Sequence, residues 1–348
     1  MVGRADPRVP PRATRRADRG SRGGADFMSR AAPARAPASE EQGVSPLSAA
    51  PIGVVPILWN NADLPELTPA VPYSQVLDEI ARLGYEGTQL GVGFPRGAEL
   101  AGELARRGLR LAEVYTALPC DRSGPRPDAG KVAREALAEL HAAGGDVLVV
   151  ALALSEDRDA WVGRADAAPG LTDAGLRALG ALLDELGADA AELGHAIAFH
   201  NHGGTYVETP EELDRLAAVT SPSSVGLCLD VGHATLGGGD APSMIRRHAD
   251  RVVHVHLKDV AAGPLEALRA GRLSGFVAAL RARIFVPLGC GVLDLPAVLE
   301  ALADARYRSW LMVEQDTSHE PPSEAAAIGR RVLGAMLRCQ GIWAQEAR

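Results

Sequence analysis

Short apolar runs alternate with longer amphipathic segments along most of the chain. Most of these runs are rich in Val, Ile and Leu without polar alternation, which is typical of strands that are covered on both faces. We count eight such runs from residue 52 onward. The predicted strands are residues 53–58, 87–91, 109–115, 146–153, 196–201, 225–230, 252–257 and 310–314.

The segments between the strands have the apolar period of helices, and several end in glycine, as at Gly84, Gly108 and Gly144, where a left-handed C-cap is usual. The predicted helices are residues 73–83, 98–107, 133–142, 173–186, 210–219, 243–249, 295–303 and 323–337. Eight strands alternating with eight helices predict a single (β/α)8 TIM barrel over residues 51–340. A doubly wound open sheet is the alternative fold, but no strand is followed by a GxGxxG turn.

The connection after the seventh predicted strand is unusually long. Residues 260–287 are predicted to contain short helices at 265–269 and 276–280. Long loops at the carboxyl ends of barrel strands commonly cover a site, so we expect this segment to lie over the active site.

The first fifty residues have a different composition. They are rich in Arg, Ala, Pro and Gly and contain few large apolar side chains. Such a segment cannot offset the entropy of ordering, so residues 1–50 are predicted to be a disordered tail. An Arg-rich, acid-poor start is also compatible with a transit peptide, although no amphipathic helix is evident.

Charge and composition exclude several classes of function. The 348 residues contain 36 Lys and Arg against 44 Asp and Glu, a net charge of −8, which disfavours nucleic acid and anionic membranes as partners. No apolar run reaches the roughly 18 residues of a membrane span, and the four cysteines form no CxxC pattern. We therefore expect a soluble, cytoplasmic protein, for which a homo-oligomer is possible, acting on a small molecule.

Side chains that can bind metals collect at the ends of the last four predicted strands. Alternate residues of a strand share a face, so the histidines and carboxylates of these strands are expected to converge inside the barrel. The residues are His200 and His202, Asp230 and His233, His254, His256 and Lys258, and Glu314 and Asp316. Such a set predicts a divalent metal site, with Mn²⁺ or Co²⁺ favoured by the imidazoles and Zn²⁺ or Mg²⁺ as alternatives.

Each of these residues also has a structural interpretation. Asp230 could serve merely as the N-cap of the following helix. A histidine on a strand could be a core residue whose hydrogen bonds are all made within the protein, and Lys258 with Asp259 could be a surface ion pair. Four consecutive strands ending in ligand-type residues make the metal site the better interpretation.

At these positions the chain resembles the xylose isomerase-like superfamily of TIM barrels, which includes the sugar phosphate isomerases and epimerases. The similarity extends from about residue 52 to 337 and is greatest to the inosose dehydratase family. The motifs that carry it are WNNADLP at 59–65, HNHGGT at 200–205, LDVGH at 229–233, HVHLKD at 254–259 and VEQD at 313–316.

The resemblance implies a metal bound by His200, Asp230, His256 and Glu314. His200 stands where most isomerases and epimerases have Glu, which favours the dehydratase. The activity it implies is a lyase reaction of inositol catabolism, the dehydration of 2-keto-myo-inositol (scyllo-inosose) to a trihydroxycyclohexane dione through a metal-stabilised enediolate. Implied roles are proton transfer for His202 and His233, oxyanion stabilisation for Lys258, and substrate contacts for Trp59, Asn60, Asn61 and Gln89.

Two departures from the family pattern leave alternatives open. Gln89 stands where a Glu is common, and Cys290 occupies a Gly-x-Gly loop that usually carries an acid. A ketose or keto-inositol isomerase or epimerase, or a non-catalytic sugar-binding barrel, is therefore also compatible with the sequence. An endonuclease on a related barrel needs a basic groove, which the acidic composition disfavours.

Overall fold

The structure, a computed structural model, describes residues 46–66 and 70–346. Eight parallel strands form a closed barrel in which each strand pairs with the next and the last pairs with the first, which confirms the predicted (β/α)8 fold. The strands are β1 (Ile52–Val54), β2 (Gly87–Gln89), β3 (Arg110–Leu118), β4 (Val147–Leu152), β5 (Ala196–His200), β6 (Val225–Asp230), β7 (Val252–Leu257) and β8 (Leu311–Val313).

Helices pack around the barrel at all of the predicted positions. They are α1 (Tyr73–Arg82), α2 (Gly97–Ala105), α3 (Ala129–Ala143), α4 (Glu156–Asp159), α5 (Asp173–Glu192), α6 (Pro210–Ala218), α7 (Val231–Leu236), α8 (Ala241–Arg247), α9 (Ala262–Arg269), α10 (Phe276–Arg281), α11 (Leu295–Asp304) and α12 (Pro322–Glu346). The periodicity does not predict the two short helices α4 and α7. Gly84, Gly108 and Gly144 all have positive φ, as predicted. Among the described residues, no helix is both long and apolar enough to cross a membrane.

The first strand is shorter than predicted. It ends at Val54, and residues Pro56–Leu58 form a 3-10 turn instead of continuing the sheet. Proline has no N–H to donate to a neighbouring strand, so Pro56 ends the ladder and turns the chain into the loop that begins with Trp59.

The register of the strands decides which side chains reach the barrel interior. His200 pairs with Cys228, Asp230 pairs with His256, and His256 pairs on its other side with Met312. Alternate residues therefore point inward in layers, and the uppermost layer lies at the carboxyl ends of the strands. This layer contains the polar residues, while Met312 and other apolar side chains fill the barrel beneath it.

The long connection after β7 folds over this end of the barrel. It contains α9 and α10, as predicted, and a short antiparallel pair, Asp259–Val260 with Phe285–Val286. Leu64 from the loop after β1 and Phe276 from α10 belong to the same buried apolar cluster. The cluster therefore joins the loop after β1 to the connection after β7 beside the polar layer.

The predicted boundary at residue 50 is partly wrong. Residues 1–45 lie outside the described residues, but Pro46–Ala49 form a 3-10 helix that contacts α11 and α12. Leu47 is fully buried in the main core. The ordered domain therefore begins before residue 51, with Leu47 and Ala50 both buried in the main core.

Replacing Leu47 by alanine is expected to lower the free energy of unfolding by about 2–5 kcal/mol, because a fully buried leucine leaves a cavity. Leu193→Ala is the control, since that leucine is exposed. Urea unfolding of the two variants measures the difference. Equal stability of both variants and the wild type would show that the segment does not contribute to the core.

Candidate active site

Four of the predicted ligands converge in the uppermost layer of the barrel. The candidate donor atoms of His200, Asp230, His256 and Glu314 all lie within 4.8 Å of one another, and all four residues are buried. Nδ1 of His256 lies 2.7 Å from Oε2 of Glu314. The structure thus brings together, from four strands, the residues that the sequence separates by more than a hundred positions.

These donor atoms fit a divalent cation. Oδ2 of Asp230, Nδ1 of His256 and Oε2 of Glu314 are buried, and none of them forms a hydrogen bond of regular geometry in the described part of the chain; their short contacts are with other members of the cluster and with Lys258. Unpaired buried acceptors are costly, and carboxylate with imidazole is a donor set for Mn²⁺, Co²⁺ and Zn²⁺. Asp230 does cap α7, through Oδ1 and the His233 N–H at 2.7 Å, but its second oxygen remains available.

Glu113, a residue that sequence analysis missed, orients one of these ligands. Its Oε2 lies 3.0 Å from Nε2 of His256 and also contacts Nε2 of His254. Burial raises the pKa of Glu113, but His256 and His254 outweigh it and lower the pKa to about 2. The carboxylate therefore accepts the Nε2 proton and leaves Nδ1 of His256 as the free ligand atom. A charged residue inside an apolar strand was the available signal.

Lys258 is a buried counterion and not a cavity residue. Its Nζ lies 2.9 Å from Oε1 of Glu314, 3.2 Å from Asp316 and 3.6 Å from Oδ2 of Asp230. Burial alone would lower its pKa, but these carboxylates raise it instead. The interpretation of Lys258 as a surface ion-pair partner is wrong, and its predicted contact with a substrate oxyanion is not supported because its ammonium group is already surrounded by carboxylates.

Asp259 has a structural role in the Gly-x-Gly loop. Its buried carboxylate accepts backbone N–H groups of Gly289 and Gly291, both at 2.9 Å. A side chain at Gly291 would collide with this carboxylate at 2.2 Å, which explains the glycine. Cys290 between them is exposed and does not line the cavity described next. Its departure from the family pattern therefore leaves the cavity wall unchanged.

A cavity of about 440 Å³ opens above the ligand cluster. Small-molecule sites are typically about 300–1,000 Å³ in volume. The polar residues that line it are Asn60, Asp63, Gln89, Tyr115, His200, His202, His256, Glu314 and Asp316. Apolar side chains, including Ile57 and Phe276, form the rest of the wall, as expected for a site that binds one face of a sugar-like ring.

His202 presents one free nitrogen to this cavity. Its Nδ1 donates to the carbonyl of Gly203 at 2.8 Å, so Nε2 carries the lone pair. Burial, with smaller effects from His200 and Lys258, lowers the pKa of His202 to about 3 and keeps the ring neutral. His202 lines the cavity with a neutral ring whose Nε2 can accept a proton, and its predicted role in proton transfer stays a prediction.

His233, the second predicted proton-transfer residue, does not line the cavity. Its ring is fully buried, with Nδ1 accepting the N–H of Gly203 at 3.0 Å and Nε2 facing Nζ of Lys258 at 3.3 Å. Burial lowers its pKa well below the ordinary value. The assignment of His233 to proton transfer is therefore corrected: it supports the loop that carries His202.

The predicted substrate contacts divide into two groups. Gln89 and Asn60 line the cavity, although both ends of the Asn60 amide bond the backbone of Val71 at 2.8 Å. Trp59 is buried and donates its indole N–H to Glu79 at 2.6 Å. The Asn61 amide donates to the carbonyl of Asp316 at 2.8 Å. Trp59 and Asn61 therefore shape the loop after β1 and do not reach the cavity.

Glu208, also missed, ties two loops together behind His202. Its carboxylate is fully buried and accepts the N–H of Gly163 and that of Gly204, each at 2.7 Å. Gly204 has a φ of +77°, a conformation that favours glycine. Burial raises the pKa of Glu208 to about 7 despite these two hydrogen bonds. The loop after β4 thereby holds the HNHGGT loop in place.

Replacing Glu113 by glutamine is expected to lower divalent-metal affinity by about 10- to 100-fold, because His256 loses the carboxylate that sets its tautomer. Calorimetric titration of metal-free protein with Mn²⁺ or Co²⁺ measures the affinity. Glu135→Gln on the exposed face of α3 is the control. Unchanged affinity in Glu113→Gln would contradict this role.

Glu208→Gln is expected to destabilise the protein by about 1–3 kcal/mol. In the wild type each carboxylate oxygen accepts a hydrogen bond from a backbone N–H, and in the variant one of these N–H groups would face the amide nitrogen, which cannot accept it. Glu211→Gln, exposed in the first turn of α6, serves as control. The denaturant concentration at the midpoint of unfolding is measured for both variants. Equal midpoints for Glu208→Gln and the control would contradict a stabilising role of the Glu208 hydrogen bonds to the two loops.

Comparison with known proteins places this geometry in a family. The family model of the xylose isomerase-like TIM barrel matches residues 77–336. The rhizopine catabolism protein MocC of Rhizobium meliloti is 38% identical over 83% of this chain and 89% of its own length. The inosose dehydratase of Geobacillus thermodenitrificans is 34% identical over 81% of this chain and 95% of its own.

Solved structures agree on the fold. An L-ribulose 3-epimerase superposes with a TM-score of 0.65 at 16% identity, covering 86% of this chain and 98% of its own. The IOLI protein, solved with a zinc atom, superposes with a TM-score of 0.62 at 16% identity, covering 82% and 98%. The chain therefore belongs to the xylose isomerase-like TIM barrel family, together with the inosose dehydratases.

Proposed function

We propose that this protein is a metal-dependent dehydratase that removes water from 2-keto-myo-inositol to give a trihydroxycyclohexane dione. The observation that carries the proposal is the cluster of four buried ligand-type residues beneath a cavity that His202 lines, with no hydrogen bond to its Nε2 among the described residues. The relationship to inosose dehydratases, at about one third identity over more than four fifths of the chain, supports the dehydration and the substrate.

His200, Asp230, His256 and Glu314 would hold the metal ion. A divalent cation bound there supplies a Lewis acid that polarises the ketone and acidifies the neighbouring C–H bond. Mn²⁺ or Co²⁺ suits the mixed imidazole and carboxylate set, and Zn²⁺ and Mg²⁺ are the alternatives. Lys258 balances the charge of the carboxylates, and Glu113 keeps His256 in the ligating orientation.

The remaining polar groups of the cavity bind and orient the polyol. Tyr115 lies on the inward face of β3, packs edge-on against His200 at 5.8 Å between ring centroids, and lines the cavity. Burial raises the pKa of Tyr115, so the phenol stays protonated and can donate to a substrate hydroxyl. The amide of Gln89 lies on the neighbouring strand and can both donate and accept.

His202 is the proton acceptor of this mechanism. Its Nε2 is unprotonated and faces the cavity, and the ring packs at 4.8 Å against Phe276, which excludes water from one side. Removal of the proton beside the ketone would be common to a dehydratase and to an isomerase or epimerase. His200, where most epimerases have Glu, favours the dehydratase.

The metal-loaded protein is expected to convert scyllo-inosose into a product with the ultraviolet absorbance of a conjugated dione. A chelator should abolish the signal and added Mn²⁺ or Co²⁺ should restore it. Asp230→Ala should be inactive, and His202→Asn should lose roughly 10²- to 10⁴-fold in kcat. His319→Asn, an exposed histidine, is the control. Interconversion of ketoses without a dione product would replace the proposal by an isomerase.

A further inference from the structure

The loop after β1 places a carboxylate at the cavity that no role assigned above uses. Asp63 lines the cavity, at the solvent-exposed end of the wall. No hydrogen bond or ion pair of the Asp63 carboxylate is found among the described residues. Two other polar residues of the cavity wall do have partners: Asp316 accepts a hydrogen bond from Lys258, and the Asn60 amide donates to the backbone carbonyl of Val71. Asp63 is therefore free to interact with a bound molecule.

Hydrogen bonds from the backbone to Asn61 hold Asp63 in a defined position. Oδ1 of Asn61 accepts the N–H of Asp63 at 2.8 Å and that of Leu64 at 2.9 Å, which forms a tight side-chain turn. The NH₂ group of the Asn61 amide donates to the carbonyl of Asp316, and Leu64 is fully buried in the apolar cluster that contains Phe276 of α10. The turn is thereby fixed on both sides of Asp63.

Topology places Asp63 across the cavity from the proton acceptor. In the closed ring of eight strands, β1 lies four strands from β5 in either direction. Asp63 follows β1, and His202 follows β5. A substrate ring held between them would meet one group on one side and the other group on the opposite side.

The reaction proposed above needs a second proton-transfer group. Hydroxide is a poor leaving group, so a hydroxyl departs readily only when an acid protonates it. We propose that Asp63 is this acid and that it delivers its proton to the hydroxyl lost from the carbon two bonds from the ketone. This inference rests on the proposed dehydratase activity.

The dehydration takes place in two proton-transfer steps. His202 takes the proton from the carbon next to the ketone, and the C–H electron pair forms an enolate. The enolate electrons then return to the carbonyl, a carbon–carbon double bond forms, and the C–O bond breaks as Asp63 gives its proton to the departing oxygen, releasing water. The resulting enol becomes the dione, while solvent takes the proton from His202 and returns one to Asp63.

The electrostatic surroundings agree with an acid at this position. Burial is the largest effect on Asp63 and raises its pKa; Lys258 lowers it less, and Glu314 raises it further. A carboxyl group at the cavity mouth can also be reprotonated by solvent after each turnover.

Asp63→Asn separates the two half-reactions. In D₂O, wild-type protein should exchange the proton beside the ketone of scyllo-inosose, followed by NMR, and should form the dione. The variant should keep exchange within a few-fold of wild type and lose dione formation by roughly 10²- to 10⁴-fold. With an analogue carrying fluorine in place of the departing hydroxyl, the variant should recover, because fluoride leaves without a proton. Asp63→Glu should restore part of the dehydration.

Two variants guard against a structural effect. Asp166→Asn, an exposed carboxylate outside the cavity wall, is the matched control, and Asp63→Ser should show the same pattern as Asp63→Asn. The proposal is overturned if dehydration stays within a few-fold of wild type, if exchange and dehydration fall by the same factor, or if the fluoro analogue gives no recovery. A wild-type protein that neither exchanges nor dehydrates removes the proposed function, and the role of Asp63 with it.

Discussion

The burial of several charged groups at one end of the barrel is the constraint on which the rest of the structure depends. Asp230, Glu314 and Asp316 surround the single ammonium group of Lys258, and all are removed from solvent. Burying charge is costly unless it is neutralised. Burial by itself would lower the pKa of His256, but Cys228, Glu113 and Glu314 around it raise that pKa well above its ordinary value. The same negative potential favours a divalent cation.

Three of the four candidate ligands are held by neighbouring groups. Glu113 on β3 reaches across the barrel to His256, the first turn of α7 uses one oxygen of Asp230, and Lys258 on the segment after β7 contacts Glu314. The contact between Glu113 and His256 exists only because the strands close into a ring, which brings β3 opposite β7. Closure of the barrel and preorganisation of the ligand set are therefore a single event.

The loops around the cavity and the strands beneath it supply different groups to the candidate site. The strands supply the ligand cluster, while the loops after β1 and β5 supply the groups that can move protons, Asp63 and His202. Removal of a proton beside a ketone is common to several reactions of this kind of barrel, so the fate of the intermediate depends on what the loops place around it. That division is consistent with one scaffold serving both epimerases and dehydratases, since barrels of this class support many reactions by variation of the loops.

The sequence by itself was sufficient to predict the fold and the region of the candidate site. Apolar runs separated by helical periods predict a closed barrel, and alternation along a strand places the histidines and carboxylates of the last four strands on one face. The family resemblance, and not the alternation, singled out the four candidate ligands His200, Asp230, His256 and Glu314, which the structure brings together. Only the tertiary structure decided how the other polar residues are used. Glu113 bonds His256 from 143 positions away in the sequence. His233 accepts the N–H of Gly203, and Trp59 donates its indole N–H to Glu79. Periodicity specifies a face, but the hydrogen-bond partner of a buried polar group depends on which distant segment packs beside it.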